Sequence, residues 1–230
     1  MTLAGSLFPI ACWFLYTVLA GLLETVRPSL SMIMSRHRRR WVENAVHRET
    51  PMDAILSGNL MSSVSFFAST TVLIILALFA VLGQVNSVVE AVNVIQPEQA
   101  ITKADVETHL ILVLVMFVLA FMAFTLSLRQ FNHFCIMLGA AEYAEKSDKE
   151  EIYVITALNT LGARNFNQGI RAYYFAIGMV AWFISPLAAI VTTVLIFGSI
   201  LYREFFSSAR MLVAGLKIKG QEDKQGSAGY

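Results

Sequence analysis

Charged residues are scarce in this chain. They make up 14% of the 230 residues, whereas about a quarter of a typical soluble domain is charged. Hydrophobic residues make up 57%, and the charges that are present lie in blocks between long uncharged stretches. This composition excludes an ordinary soluble globular domain and favours a membrane protein.

Residues for catalysis and metal binding are also few. Cys12 and Cys135 both lie in or beside apolar runs, which is typical of small buried hydrophobic residues and does not suit a disulfide framework or a zinc site. The four histidines lack the spacing of a helical metal motif, and no nucleophile elbow is present. We therefore expect no enzyme activity, no metal and no cofactor.

Four runs without Asp, Glu, Lys or Arg are long enough to cross a bilayer. They cover residues 3–23, 54–83, 110–128 and 172–202. A span needs about 20 apolar residues to cross a hydrocarbon core of about 30 Å. The sequence predicts an all-α polytopic membrane protein, with a single transmembrane domain over 1–220 and spans at about 3–26, 54–83, 108–140 and 172–202. Pro186 predicts a kink inside the fourth span.

Two segments follow the fourth span. Residues 203–219 place Arg203, Arg210 and Lys217 on one face and apolar residues on another, which predicts a basic amphipathic helix on the membrane surface. Residues 221–230 are polar and rich in glycine, which predicts a flexible tail.

The segment 35–49, SRHRRRWVENAVHRE, concentrates arginine between the first two spans. Lys and Arg counts in short loops set membrane orientation. The first and third loops hold most of these residues, so we expect both on the cytoplasmic side of a bacterial inner membrane, with both termini outside. The basic C-terminal segment argues against this orientation. Trp41 suits a ring at the lipid interface, and a lone loop tethered to a bilayer is unlike a nucleic-acid-binding domain.

The same arginines allow a second interpretation, as an anion site or as a grip on anionic lipid head groups at the cytoplasmic mouth. The candidates are Arg39, Arg40, Arg48, Arg129, Arg164 and Arg171. Arg164 and Arg171 are expected at the level of the inner head groups.

The second span has an unusual hydroxyl-rich first half, ILSGNLMSSVSFFASTT. Small polar residues in lipid permit close helix packing and form interhelical hydrogen bonds, and they also line hydrated pathways. The fourth span repeats the pattern, and the two faces would meet either within one subunit or across an oligomer. The candidates for packing or for a pathway are Asn59, Ser62, Ser65, Ser69, Ser185 and Thr192.

Several motifs resemble a membrane family catalogued as domain of unknown function 599, found in bacteria and plants. They are RRRW in the first loop, SLRQFN at the end of the third span, and LNTLGARNFNQGIRAYYFAIGMVAWFISP before and within the fourth. The resemblance implies four spans in the same order and no established activity. The matching positions, to which we assign structural roles, are Trp41, Asn132, Leu158, Asn159, Thr160, Gly162, Tyr173, Tyr174, Trp182 and Pro186. We expect a turn at Asn159 and Gly162, and interfacial positions for the two tyrosines.

Two functions remain open at this stage. The first is a homo-oligomeric passive channel for small anions, with its pore between subunits. The second is a structural or assembly subunit that docks on a larger membrane complex. Uncharged spans favour either one over a coupled transporter, which usually keeps an ionisable residue near the membrane midplane.

Overall fold

The computed structural model describes residues 2–47, 52–97, 99, 101–141 and 149–216. This part of the chain forms helices joined by short connections. The helices are α1 Thr2–Val26, α2 Leu30–Ala45, α3 Met52–Gly83, α4 Val85–Ile95, α5 Lys103–Ala140, α6 Lys149–Val180, a 3₁₀ turn Ala181–Phe183, α7 Pro186–Phe205 and α8 Ser208–Ala214.

Among the described residues, four helices are long and apolar enough to cross a membrane. They lie in the segments Leu3–Val26, Met52–Gly83, Lys103–Ala140 and Pro186–Ala214. The prediction of an all-α protein with four candidate spans is confirmed.

An antiparallel pair formed by α5 and α6 is the centre of the molecule. Gly162 lies against the ring of Phe131, and Gly169 lies against the ring of Phe124. Farther along, a ring nitrogen of His109 lies 3.0 Å from the carbonyl oxygen of Met179. These contacts keep one antiparallel register over most of both helices, so α6 runs the length of the bundle beside α5.

The bounds predicted for the fourth span are wrong. Residues 172–180 complete α6, the turn Ala181–Phe183 reverses the chain, and α7 starts at Pro186. Pro186 therefore begins a helix instead of kinking one, in the first turn where proline is best tolerated. The side chain of Ser185 caps α7 by accepting a hydrogen bond of 2.9 Å from the Ala188 N–H.

Helices α1 and α7 run parallel to each other. Gly5 abuts Pro186, the rings of Tyr16 and Phe197 lie 5.8 Å apart, and the Arg27 guanidinium lies 4.6 Å from the centre of the Phe206 ring. Five helices, including α6, consequently run between the two ends of the bundle.

We name the two ends by their residues. The histidine end contains residues 2–9, 83–109 and 180–189, and the basic end contains residues 24–47, 129–141, 149–164 and 203–216. Helix α8 lies at the basic end, whereas the start of α1 lies at the histidine end. The first and last helices of the described chain therefore lie at opposite ends of the bundle, which differs from the predicted arrangement with both termini outside. Among the described residues, Lys103 is the only Lys or Arg at the histidine end, so the basic C-terminal segment no longer conflicts with the arginine cluster.

The predicted surface helix over 203–219 also differs from the structure. Its first residues end α7, and α8 covers only Ser208–Ala214. Arg210 is 9% exposed and donates a hydrogen bond of 3.0 Å to the Pro28 carbonyl. Helix α8 therefore packs with α2 at the basic end. Lys217 and the tail predicted over 221–230 lie outside the described residues.

Candidate functional site

The hydroxyl-rich side of α3 faces away from the rest of the described chain. Asn59, Ser62, Ser65 and Ser69 are all exposed, and nothing lies within 4 Å of the position that a Cβ would take at Gly58. The buried side of the helix contains Asp53, Ser57, Val64, Ala68 and Thr71 instead. The small polar residues of α3 do not pack within the subunit, because they form an outer surface.

Hydroxyl groups on this surface bond to their own helix. Ser63 Oγ donates to the Asn59 carbonyl over 3.0 Å, and Thr70 Oγ1 donates to the Phe66 carbonyl over 2.8 Å. These bonds satisfy the donors even where no other helix is present. The face therefore tolerates lipid, water or a second protein surface.

A groove lies at the basic end of the α3 polar face. It has a volume of about 360 Å³ and is lined by Trp41, Leu56, Asn59, Leu60 and Ser63. The indole Nε1 of Trp41 donates a hydrogen bond of 2.6 Å to Oδ1 of Asp53, which ties the arginine-rich helix α2 to the start of α3. The Trp41 ring also packs at 5.5 Å from the Phe134 ring, so this tryptophan has a packing role as well as lining the groove.

The arginines predicted at the mouth fall into three groups. Arg39, Arg40, Arg129 and Arg164 are exposed at the basic end, as is Asn132. Arg39 forms an exposed ion pair of 3.0 Å with Glu43, one turn along the same helix. Arg48 lies outside the described residues. Arg171, the last candidate, is half-buried.

Arg171 is a half-buried cation between α6 and α1. Its guanidinium carbon is 5.0 Å from the centre of the Tyr16 ring. It lies one helical turn from Asn167, which bonds to Ser31 at the basic end. Its position at the level of the inner head groups stays a prediction.

The fourth-span candidates are separated from the α3 face. Ser185 is the cap of α7, and Thr192 lines a second groove of about 350 Å³ with Tyr174, Ser199 and Arg203 among its walls. Helix α7 packs on α1 and α6, whereas α3 packs mainly on α5. The two small-residue faces do not meet as packed helices within one subunit.

The family-motif aromatic residues mainly build the core. Tyr173 lies among the rings of Phe67, Phe117 and Phe124, and its hydroxyl lies 2.8 Å from Thr71 Oγ1. It is therefore a core residue and not an interfacial one. Tyr174 does reach the basic end, where its hydroxyl accepts a hydrogen bond of 3.0 Å from Arg203.

The predicted turn at Asn159 and Gly162 is wrong, because both residues lie inside α6. Gly162 is a close-approach position. A Cβ there would lie 2.9 Å from the Phe131 ring, and its carbonyl accepts a hydrogen bond of 2.7 Å from Ser127 Oγ. Asn159 is completely buried.

A buried cluster around His109 at the histidine end was not predicted. Ser6 Oγ lies 2.8 Å from His109 Nδ1, and the His109 ring stacks on Trp182 with centroids 4.3 Å apart and an interplanar angle of 15°. Gln96 Nε2 donates to the Trp182 carbonyl over 3.0 Å. A histidine at the edge of an apolar run was the only sequence signal for this cluster, since its partners come from distant segments.

These features define a helical bundle of the polytopic membrane class, with a polar outer face on α3 and cations concentrated at one end. A family model described as "Protein of unknown function, DUF599" matches residues 5–209. The chain belongs to this family, as its motifs indicated. No curated protein and no solved structure matches it.

Proposed function

We propose that this protein assembles as a homo-oligomer through the polar face of α3 and leaves a passive pathway for small anions between its subunits. The observation that supports this most is the exposure of Asn59, Ser62, Ser65 and Ser69 on a helix of membrane-spanning length. Polar side chains within a membrane normally face a bundle interior or a water-filled cavity. Association of α3 faces would supply such an interior.

A pathway between subunits fits the packing of each subunit better than one through it. Rings fill the centre of the described bundle: Phe67, Phe124 and Phe166 lie within 5.8 Å of one another, centroid to centroid. Interiors packed with interlocking rings leave little room for a hydrated solute. The α3 face, in contrast, leads into the open groove beside Trp41.

Anion preference would come from the basic end. Arg39 and Arg40 are exposed on α2, and the Trp41–Asp53 hydrogen bond fixes this helix beside the first turn of α3. Rings of arginine at a pore mouth raise the local concentration of anions. By the positive-inside rule, this end faces the cytoplasm, and we propose a bacterial inner membrane as its location.

Liposome flux with matched variants tests the proposal. Ser65→Leu places an apolar side chain on the α3 face. Thr125→Leu makes a similar change on α5, where Thr125 is likewise exposed and bonds only to its own helix. We expect anion flux above that of empty vesicles, reduced at least about tenfold by Ser65→Leu and little changed by Thr125→Leu.

A docking role in a larger complex is the second candidate, favoured by apolar residues exposed at the basic end. Ile136 and Tyr153, at the basic end of the α5–α6 pair, are 66% and 67% exposed. Purification in a mild detergent separates the two functions. A ring of identical chains supports the channel. A foreign subunit that copurifies in fixed ratio to this chain, and is lost from the Tyr153→Ser variant, supports docking.

A further inference from the structure

Arg38 is a half-buried cation that lacks a partner within the described chain. Its neighbours Arg39 and Arg40 are exposed, and Arg39 pairs with Glu43. No carboxylate or hydrogen-bond acceptor of the described chain pairs with Arg38. Burial lowers the pKa of the Arg38 guanidinium from its ordinary value, with no opposing effect from a nearby carboxylate. Because an uncompensated charge is costly to bury, this position calls for an anion.

Asn159 on α6 is a second polar group without a partner. Its side chain is 0% exposed, and neither its amide oxygen nor its amide nitrogen forms a hydrogen bond in the described chain. The hydroxyl of Thr156, three residues earlier on α6, and Nε2 of His37 on α2 are buried without partners as well. Buried amides nearly always have hydrogen bonds, so a group of unpaired polar atoms indicates a missing ligand or water.

Helices α2 and α6 lie side by side in antiparallel register. Near the start of α2, Asn167 Nδ2 donates a hydrogen bond of 3.1 Å to Ser31 Oγ. Near its end, Val42 and Ile155 share one buried cluster. We take the hydrogen bond and the shared cluster as the two contact points of the helices, and together they indicate which residues lie opposite each other.

Arg38 and Asn159 fall between the two contact points. On α2, Arg38 lies seven positions after Ser31 and four positions before Val42, so it lies on the stripe that faces α6. On α6, Asn159 lies four positions after Ile155 and eight positions before Asn167, so it lies on the stripe that faces α2. The register therefore sets these two residues opposite each other.

The chemistry of the two groups restricts the ligand. A guanidinium only donates hydrogen bonds, whereas a side-chain amide both donates and accepts. The ligand must accept from Arg38 and from the Asn159 nitrogen, and it must donate to the Asn159 oxygen. Chloride and sulfate only accept. A proton-bearing oxyanion does both.

We propose that Arg38 and Asn159, with Thr156 and His37 beside them, form a binding site for a proton-bearing oxyanion of the monohydrogen phosphate type. The site lies at the basic end, beyond the apolar lengths of α3 and α5, where the partly exposed Arg38 gives access from water. It belongs to a single subunit and does not depend on the oligomeric pathway proposed above.

Thermal unfolding of the full-length, delipidated protein in detergent tests the site. Inorganic phosphate is titrated against sulfate at equal ionic strength and neutral pH. A ligand that binds the folded state raises the unfolding midpoint as its concentration rises. We expect phosphate to raise the unfolding midpoint at concentrations at least about tenfold lower than sulfate does, because sulfate leaves the Asn159 oxygen unpaired.

Variants assign the effect to the two residues. Arg38→Gln should weaken phosphate binding at least about tenfold through the loss of charge-assisted hydrogen bonds. Arg38→Lys, which keeps the charge, should weaken it less. Arg36→Gln changes an exposed arginine on the same helix, and this variant should bind phosphate like the wild type. Asn159→Leu should remove the preference for phosphate over sulfate.

Three outcomes overturn the proposal. One is an equal phosphate effect in the wild type and in Arg38→Gln. Another is higher stability of Asn159→Leu with no phosphate effect in any variant, which would mean that an ordered water fills the site. The last is protection by phosphatidylglycerol, a phosphodiester lipid, without protection by inorganic phosphate, which would make the site a lipid head-group contact.

Discussion

Ser6 Oγ and His109 Nδ1 lie 2.8 Å apart at the histidine end, although 103 residues separate them in the chain. The other ring nitrogen, Nε2, lies 3.0 Å from the Met179 carbonyl. Because a carbonyl only accepts, Nε2 carries a proton, and in the neutral ring Nδ1 accepts from the Ser6 hydroxyl. One imidazole thus joins α1, α5 and the end of α6.

Ser6→Ala is expected to lower the free energy of unfolding by about 1–3 kcal/mol, because it leaves a fully buried Nδ1 without its donor. Unfolding of detergent-solubilised protein would measure the change. Thr17→Val serves as a control, since Thr17 on the same helix is exposed and bonds only to its own backbone over 3.3 Å. A loss no larger than that of Thr17→Val would show that the contact contributes little.

Gly169→Ala is expected to destabilise the α5–α6 pair by about 1–3 kcal/mol, the usual cost of overpacking. The added Cβ would lie 2.5 Å from the Phe124 ring, which is itself completely buried and has little room to move. Thermal unfolding in one detergent would compare it with Gly198→Ala. Nothing lies within 4 Å of that second Cβ position, so Gly198→Ala should be neutral or slightly stabilising. Equal midpoints for both variants would contradict the close packing.

Cysteine labelling should place the arginine cluster and the C-terminal helix on the same side of the membrane. Single cysteines at Arg40, Met211 and Glu90, all exposed, would be introduced into a protein whose two native cysteines are replaced by alanine. We expect membrane-impermeant reagents to reach positions 40 and 211 from one side and position 90 from the other. Labelling of 211 together with 90 would overturn the parallel arrangement of α1 and α7.

Trp41→Phe should loosen α2 from α3. The phenyl ring keeps the contact with Phe134, but the 2.6 Å hydrogen bond to Asp53 is lost. A hydrogen bond to a charged group contributes about 1.5–3 kcal/mol, so we expect a loss of that order and faster hydrogen exchange in α2. A double-mutant cycle with Asp53→Asn isolates the pair, and additive losses would show that the two side chains are not coupled.

The charge-free runs of α1, α3 and α5 were enough to predict their helices and membrane-spanning length, because each run is apolar on most of its surface. Helix α6 was not predicted as one continuous helix, for the opposite reason. It contains Arg164, Asn167 and Arg171, and these polar residues conceal a helix that the other helices partly shield from lipid. The fourth charge-free run was therefore assigned to one helix, although it contains the end of α6 and most of α7.

The candidate site, like the fold, was predicted only in part from the sequence. The hydroxyl-rich side of α3 and the arginine-rich α2 were recognised from composition, because unusual residues in an apolar or short segment are visible in the sequence. The positions that these residues take were not recognised: the α3 residues face outwards, and the guanidinium of Arg171 lies over the Tyr16 ring. The placement of Arg38 opposite Asn159 could be inferred only from the antiparallel register of α2 and α6.

Apolar length and charge content are local properties, so the amino-acid order was enough to indicate a helical membrane protein with its cations gathered in a few segments. Three further features became visible only in the packed bundle. The described chain runs five times between the two ends, all but one of its loop and helix-end cations share one end, and Ser6 meets His109. Each of these depends on which distant segments pack together, and no local pattern encodes that choice.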